Sequence, residues 1–282
     1  MPISYDAVRE LIDMAIREDL GDNLTDVTSD AVFHDETATA ELLCKETIVL
    51  CGTDLIRYVY QAIDPVVTVE ILFPDGEVLG DHTVFATIHG KVRSLLKGER
   101  IVLNFLQRMS GVATQTKTYV NALNSTTVKL LDTRKTIPGY RHLDKYAVKT
   151  GGGENHRMGL YDMVMIKDNH KNAAGSVSEA IDRVRNHTQG IKVEVEVETI
   201  EEAREAARKG CDIIMLDNMN NEEIIEASRA IRSVNASIKI EVSGGITIER
   251  LSSLGQLDID FISSGALTHS VRAVDISMEM QS

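Results

Sequence analysis

The chain has 282 residues, enough for one large domain or two ordinary ones, and 43% of them are hydrophobic, which supplies a core and argues against disorder. Its 30 Lys and Arg against 43 Asp and Glu leave a formal charge of −13, which argues against nucleic acid as the main partner. No apolar run approaches the ~20 residues that span a bilayer, so no membrane partner is expected.

Residues 1–20 (MPISYDAVRELIDMAIREDL) open with an amphipathic helix over about 4–20. Its apolar face is Val8, Leu11, Ile12, Ala15 and Ile16, with Ser4 as N-cap. Acids interrupt it throughout, which is not the pattern of a signal peptide. Short β-rich runs follow: ATAELLCKETIVLCG, VVTVEILF, VFATIHG and KVRSLL, joined by polar turns. They predict an α+β domain with an antiparallel sheet over 1–108. The three cysteines, Cys44, Cys51 and Cys211, lack disulfide or metal spacing and read as reduced, buried thiols of a cytoplasmic protein.

A long helix is predicted from near Lys97, and beyond it strands alternate with helices. The strand candidates are VKLLDT, DMVMIKD, IKVEVEVE, DIIMLDN, IKIEVSGG and DIDFISSG. Alternation with helices implies parallel pairing, and continuous apolar runs imply strands covered on both faces. Residues 109–267 are too few for eight βα units, which take about 250 residues. The expectation is an α/β barrel of fewer than eight strands, closed, nearly closed or incompletely wound. The segment 268–282 is expected to return to the first domain as a strand.

Each of these strands ends in polar residues. Arg134 and Lys135 follow LLDT, Lys167 ends DMVMIK, and Asp217 ends DIIMLD. Ser243-Gly244-Gly245 and Ser264-Gly265 end the last two. Glu196 lies late in IKVEVEVE, but Glu194 and Glu198 share its parity, so alternation does not choose among them. Parallel strands of a barrel bring such ends to one mouth. Glycine turns there offer backbone N–H groups that cradle phosphate. The stretch Lys129–Lys171 holds nine Lys or Arg and five acids, a local charge of +4 that leaves −17 on the other 239 residues. A basic island in an acidic chain suits a small polyanion. His156 and His170 are 14 apart without a third His or Cys nearby, a poor zinc pattern. Asn155-His156-Arg157, after Gly151-Gly152-Gly153, reads instead as an anion clamp in which His and Arg both donate.

The segment DTRKTIPGYRHLDKYAVKTGGGENHRMGLYDMVMIKDNH resembles the quinolinate phosphoribosyltransferase family. The resemblance extends to GERIVLNFLQRMSGVAT, VEVEVETIEEA, IIMLDN, EVSGGI and FISSGALTHS, and so to nearly the whole chain. It implies the type II phosphoribosyltransferase fold: an N-terminal α+β domain plus an incomplete or seven-stranded α/β barrel. It implies conversion of quinolinate and phosphoribosyl pyrophosphate to nicotinate mononucleotide, pyrophosphate and CO2, with Mg2+, in de novo NAD biosynthesis. By the same resemblance Arg134, His156, Arg157 and Lys167 are quinolinate contacts, and Arg100 reaches into a neighbouring subunit's site. That implies a homodimer or higher homo-oligomer. Lys135, Glu196, Asp217, Ser243, Gly244, Gly245, Ser264, Gly265 and Ala266 fall on the phosphoribosyl pyrophosphate side, and Thr133 joins the substrate-binding set. Lys135, Lys167, Glu196 and Asp217 carry the catalytic expectation. Glu196 and Asp217 are the expected Mg2+ holders, directly or through water. Glu154 and Lys171 depart from the family pattern, and Glu154 is expected to point outward. A related pyrophosphorylase-like enzyme with another acceptor, a non-catalytic metabolite binder and a generic phosphate-binding barrel are the rivals. Intact NHR and IKDNH motifs, with Glu196 and Asp217 both present, weigh against the first two.

Overall fold

The computed structural model describes residues 3–188 and 190–281. In chain order, the elements begin with α1 (Tyr5–Leu20), α2 (Val27–Val32), β1 (Thr37–Cys44) and β2 (Ile48–Val49). Next come α3 (Thr53–Ile63), β3 (Thr68–Ile71), β4 (Val78–Leu79), β5 (Val84–Lys91) and α4 (Val92–Leu123). Then follow β6 (Lys129–Leu131), α5 (Arg141–Thr150), β7 (Val164–Ile166), α6 (Asp168–Ala174), α7 (Val177–His187) and β8 (Val193–Val197). The last are α8 (Ile200–Arg208), β9 (Ile213–Asp217), α9 (Asn221–Val234), β10 (Lys239–Ser243), α10 (Ile248–Leu254), β11 (Phe261–Ser263), α11 (Ala266–His269) and β12 (Ile276–Met280).

The chain forms two compact units, Met1–Lys117 with Thr136–Gly152 and Leu267–Ser282, and Thr118–Lys135 with Gly153–Ala266. The boundary expected from sequence, between 108 and 109 with residues 136–152 among the barrel strands, differs from this division in where it places 109–117 and 136–152. In the first unit α1 buries Val8, Ile12, Ile16 and Leu20. Ser4 stands at its N-cap position but makes no side-chain cap bond. The antiparallel sheet runs β12-β1-β5-β3, so the C-terminal strand lies beside β1, with Ala40 opposite Met280. Residue Ser282 of the C-terminal piece lies outside the described residues.

KVRSLL is a correction. Only Lys91 belongs to a strand, and α4 already begins at Val92 rather than near Lys97. Buried Val92 and Leu95 are three apart, a helical spacing that a short apolar run does not distinguish from alternation.

In the second unit six strands pair in the order β6-β11-β10-β9-β8-β7, and every pairing is parallel. The first strand of the unit thus lies beside the last. A single parallel bridge, Leu131 with Glu154, extends the order beyond β6. Among the described residues β6 and β7 do not pair, so the winding is incomplete, with a one-residue rudiment in a seventh position. Helix starts are well defined: Thr199 caps α8, and Asn220 with Glu223 forms a capping box on α9. Glu154 is exposed, whereas Lys171 is buried. Its ammonium donates to both oxygens of Glu202, at 2.9 and 3.1 Å, which offsets the cost of removing it from water.

One of the three glycines has a packing role in the first unit. Gly151 is buried at the end of α5, where a Cβ would come within 2.4 Å of the Ala113 carbonyl oxygen. Gly151→Ala should therefore destabilise the protein by about 1–3 kcal/mol, the usual range for overpacking. A lowered urea midpoint with an unchanged slope is the expected reading.

Candidate active site

Side chains alternate along a strand, and the register of the parallel sheet turns that alternation into one shared inner face. Glu196 lies opposite Met215, Met215 opposite Glu241, and Asp217 opposite Ser243. The inner residues at the C-terminal ends line one cavity of about 480 Å3. It gathers Thr133, Arg134, Lys135, His156, Arg157, Lys167, Glu196, Asp217, Ser243, Gly244 and Gly245. Met165, Met215, Asn218 and Ser263 complete the wall.

Four sequence candidates do not line it. Ser264 is buried and donates its backbone N–H to Leu131 O at 3.1 Å. The lining takes Ser263 from this strand end, not Gly265 or Ala266. The reason is parity: Phe261 and Ser263 share the inner face and Ser264 does not. Arg100 belongs to the first unit, exposed on α4, where it lines a separate cavity of about 250 Å3. His170 caps α6, its Nδ1 accepting from the Lys167 N–H at 3.0 Å.

On one wall Lys167 Nζ donates to Glu196 Oε2 at 2.5 Å. Asp217 accepts from Asn218 Nδ2 at 2.7 Å. Burial, and then the charge of Glu196, raise the Asp217 carboxyl above its ordinary range, with Lys167 opposing. On the other wall Arg157 Nη1 donates to Met163 O at 3.0 Å. Burial, and then the Arg134 charge, lower the hold of Arg157 on its proton. An anion placed between these groups relieves the cationic repulsion.

The turn after β10 needs glycine. Gly244 has φ +81°, and a Cβ there would meet Asn218 Oδ1 at 2.2 Å. Asn218 itself has φ 56°, a left-handed conformation that Asn tolerates. The wall that carries Arg157 is held by a residue that sequence reasoning missed. Buried Asp132 accepts from Asn155 Nδ2 at 2.6 Å and from the His156 N–H at 2.8 Å.

The His156 ring is bonded on both of its edges. Nδ1 accepts from the Arg157 N–H at 2.8 Å, so the ring proton sits on Nε2 and is donated to Glu194 Oε2 at 2.9 Å. Glu194 and Glu241 are fully buried. Among the described residues neither Glu241 oxygen makes a hydrogen bond. Burial first, then the charge of Glu194, push the Glu241 carboxyl up to about 8. Strand parity could have flagged both glutamates, but not their approach to a histidine 38 residues from Glu194.

A parallel α/β sheet whose strand ends collect cations, two carboxylates and a double-glycine turn defines an enzyme class that handles phosphate-bearing anions. Two family models cover nearly all of the chain: quinolinate phosphoribosyl transferase, N-terminal domain, over residues 26–110, and its C-terminal domain over residues 112–279. The chain belongs to the quinolinate phosphoribosyltransferase family. It is 41% identical over 274 residues to a probable nicotinate-nucleotide pyrophosphorylase (carboxylating) of Bacillus subtilis (strain 168), covering 97% of this chain and 93% of that relative. It is 41% identical over 294 residues to quinolinate phosphoribosyltransferase (decarboxylating) 1b of Nicotiana tabacum, covering 98% and 83%. The solved structure of NadC from Streptococcus pyogenes is 42% identical and superposes with a TM-score of 0.93 over 99% of each chain. A nicotinate-nucleotide pyrophosphorylase from Francisella tularensis is 36% identical, with a TM-score of 0.93 over 99% of this chain and 98% of that one.

The raised Glu241 carboxyl gives stability a pH dependence. Below the ordinary carboxylate range both folded and unfolded chains hold the proton, and the contribution is complete. As pH rises, the unfolded chain releases its proton first, so stability falls until the folded group ionises near pH 8. From about pH 5 to pH 8 the loss should be on the order of a few kcal/mol, and Glu241→Gln should remove it. Urea unfolding of both proteins at the two pH values checks this: the stability advantage of the variant should grow with pH.

Proposed function

We propose that the chain transfers the phosphoribosyl group of phosphoribosyl pyrophosphate to quinolinate, giving nicotinate mononucleotide, pyrophosphate and CO2 in de novo NAD biosynthesis. The observation that carries this reading is one cavity lined by Arg134, Arg157 and Lys167 together with Glu196, Asp217 and the Ser243-Gly244-Gly245 turn. Quinolinate has adjacent carboxylates on a pyridine ring, and the cationic wall suits them. The turn and Lys135 suit the phosphates, with Lys135 neutralising the departing pyrophosphate.

The ring nitrogen attacks the anomeric carbon as the bond to pyrophosphate breaks. Positive charge then grows on the ribose, and Glu196 and Asp217 stabilise it from the opposite wall. The new C–N bond makes the ring nitrogen cationic. The electron pair released when the neighbouring carboxylate leaves as CO2 is drawn toward that cation, and the ring carbon takes up a proton. Lys167 holds Glu196 in place through the 2.5 Å bond.

Mg2+ fits the donor set. Glu196 and Asp217 are oxygen ligands on neighbouring strands, facing one cavity, and Glu196 raises the Asp217 carboxyl, a repulsion that a dication offsets. When bound there, Mg2+ would neutralise charge on the pyrophosphate. A homodimer or higher oligomer with shared sites is part of the same reading, with exposed Arg100 supplied to a neighbouring copy. Residues 109–267 are assigned the chemistry, and 1–108 with 268–282 the supporting domain. No described helix is long and apolar enough to cross a membrane, and the three cysteines are free and buried. A cytoplasmic location accords with both.

Incubating the protein with Mg2+, phosphoribosyl pyrophosphate and carboxyl-labelled quinolinate should release labelled CO2 and form nicotinate mononucleotide. Glu196→Gln should lower kcat by roughly 100-fold, the scale of a lost electrostatic stabiliser, while changing KM little. No label release by the unaltered protein would overturn the assignment. Mixing inactive Arg100→Ala and Arg157→Ala proteins should restore part of the activity once subunits exchange. Exchange without recovery would count against a shared site.

A further inference from the structure

Beneath the cavity lies a second set of ionisable groups. Glu194 on β8 and Glu241 on β10 are fully buried, and ligand-capable atoms of both lie with those of His156 inside a 4.8 Å span. Two carboxylates are costly floor material, since apolar side chains at the same positions would close the sheet without desolvating charge. The hydrogen bond that Glu194 makes with His156 shows what the arrangement achieves.

His156 is held by opposed bonds. Its Nε2–H donates down to Glu194 Oε2 at 2.9 Å, and Glu241 Oε2 stands 3.7 Å from the same nitrogen. On the other edge Nδ1 accepts the Arg157 N–H at 2.8 Å. Two bonds on opposite edges fix the plane of an imidazole and its tautomer together. The ring in turn fixes the backbone from which Arg157 extends. Asp132 holds the same dipeptide through the His156 N–H, and Met163 O receives the Arg157 guanidinium.

We propose that Glu194, with Glu241 behind it, is a positioning residue for Arg157, acting through the ring of His156. The inference rests on reading Arg157 as a quinolinate contact. A guanidinium grips a carboxylate through a directional fork, so a small rotation of its base weakens that grip. The residues assigned to phosphoribosyl pyrophosphate, Lys135, Asp217 and the Ser243 turn, lie at the ends of other strands. Loss of the brace should therefore act on one substrate.

The first measurement needs no substrate. In protein labelled with 15N-histidine, with His156 assigned by the signals lost in His156→Asn, the ring should show a bare Nδ1 and a slowly exchanging Nε2–H. A proton on Nδ1, a doubly protonated ring, or a metal on Nε2 would overturn the proposal. The second measurement is kinetic. Glu194→Ala should raise the quinolinate KM roughly tenfold, the cost of one charge-assisted bond, with kcat and the phosphoribosyl pyrophosphate KM changed by less than about threefold. Glu194→Gln keeps an acceptor oxygen and should recover the quinolinate KM to within about threefold of the unaltered protein. Equal losses in all three constants, or an unchanged quinolinate KM, would sink the idea. Should Glu194→Ala not fold, the Glu194→Gln ring spectrum decides: a retained Nε2–H supports the brace and a switched tautomer rejects it. Failure of label release by the unaltered protein would remove the enzymatic reading, while the spectra would still judge the brace.

Discussion

The site depends on the register of a parallel sheet. In β8, β9 and β10 the pairing of Glu196 with Met215, Met215 with Glu241, and Asp217 with Ser243 sets the inner residues level across three strands. Because side chains alternate with a period of two, a slip of one residue would send Glu196 toward the helices and a valine toward the cavity. Register is enforced from outside: Val193, Val195 and Val197 are wholly buried on the other face of β8. Hydrophobic packing on one side of the strand thus determines where carboxylates stand on the other.

The cavity is electrostatically incomplete in both directions. Arg134 bears on Arg157, and Glu196 bears on Asp217, so each wall carries a repulsion between like charges. Lys167 meets Glu196 within the acidic wall, and that bond leaves the repulsion on Asp217 in place. Cations and acids therefore do not simply neutralise one another. Such separation of sign within one cavity favours a ligand pair that brings carboxylates to one wall and developing positive charge to the other. A site of fully matched salt bridges would be quieter in isolation and worse at stabilising charge that appears only during reaction.

Much of this was readable from residue order. Helical and parallel-strand patterns located the second unit's elements, and the polar residues at their ends predicted most of the cavity wall. What escaped had physical reasons. KVRSLL is too short and too apolar for its period to separate strand from helix. Residues 136–152 cluster with the first unit because Tyr146 bonds Asp75 and Asp144 pairs with Arg108, and neither partner is near in sequence. Ser263 lines the cavity beside the expected Ser264-Gly265 turn because the alternation set by Phe261 puts it inside. Lys171 looked like a departure, yet its charge is met by Glu202, 31 residues on. Family resemblance singled out Glu196 from three candidates of equal parity; Glu198, beyond the end of β8, is exposed, while Glu194 lies deeper in the same row.

That depth gives the inner face two layers with different physics. The upper layer meets the cavity, where charges are partly hydrated and can reorganise around a ligand. The lower layer, with Glu194 and Glu241, is sealed, so its hydrogen bonds face no competition from water and its protons are held by geometry. Stiffness below and adaptability above are complementary requirements for recognising a rigid aromatic dianion beside a flexible sugar phosphate. An apolar floor would supply packing without direction, because dispersion contacts do not fix the rotation of a ring. A buried hydrogen bond does, and its stability cost is the ground on which orientation of the side chains above it rests.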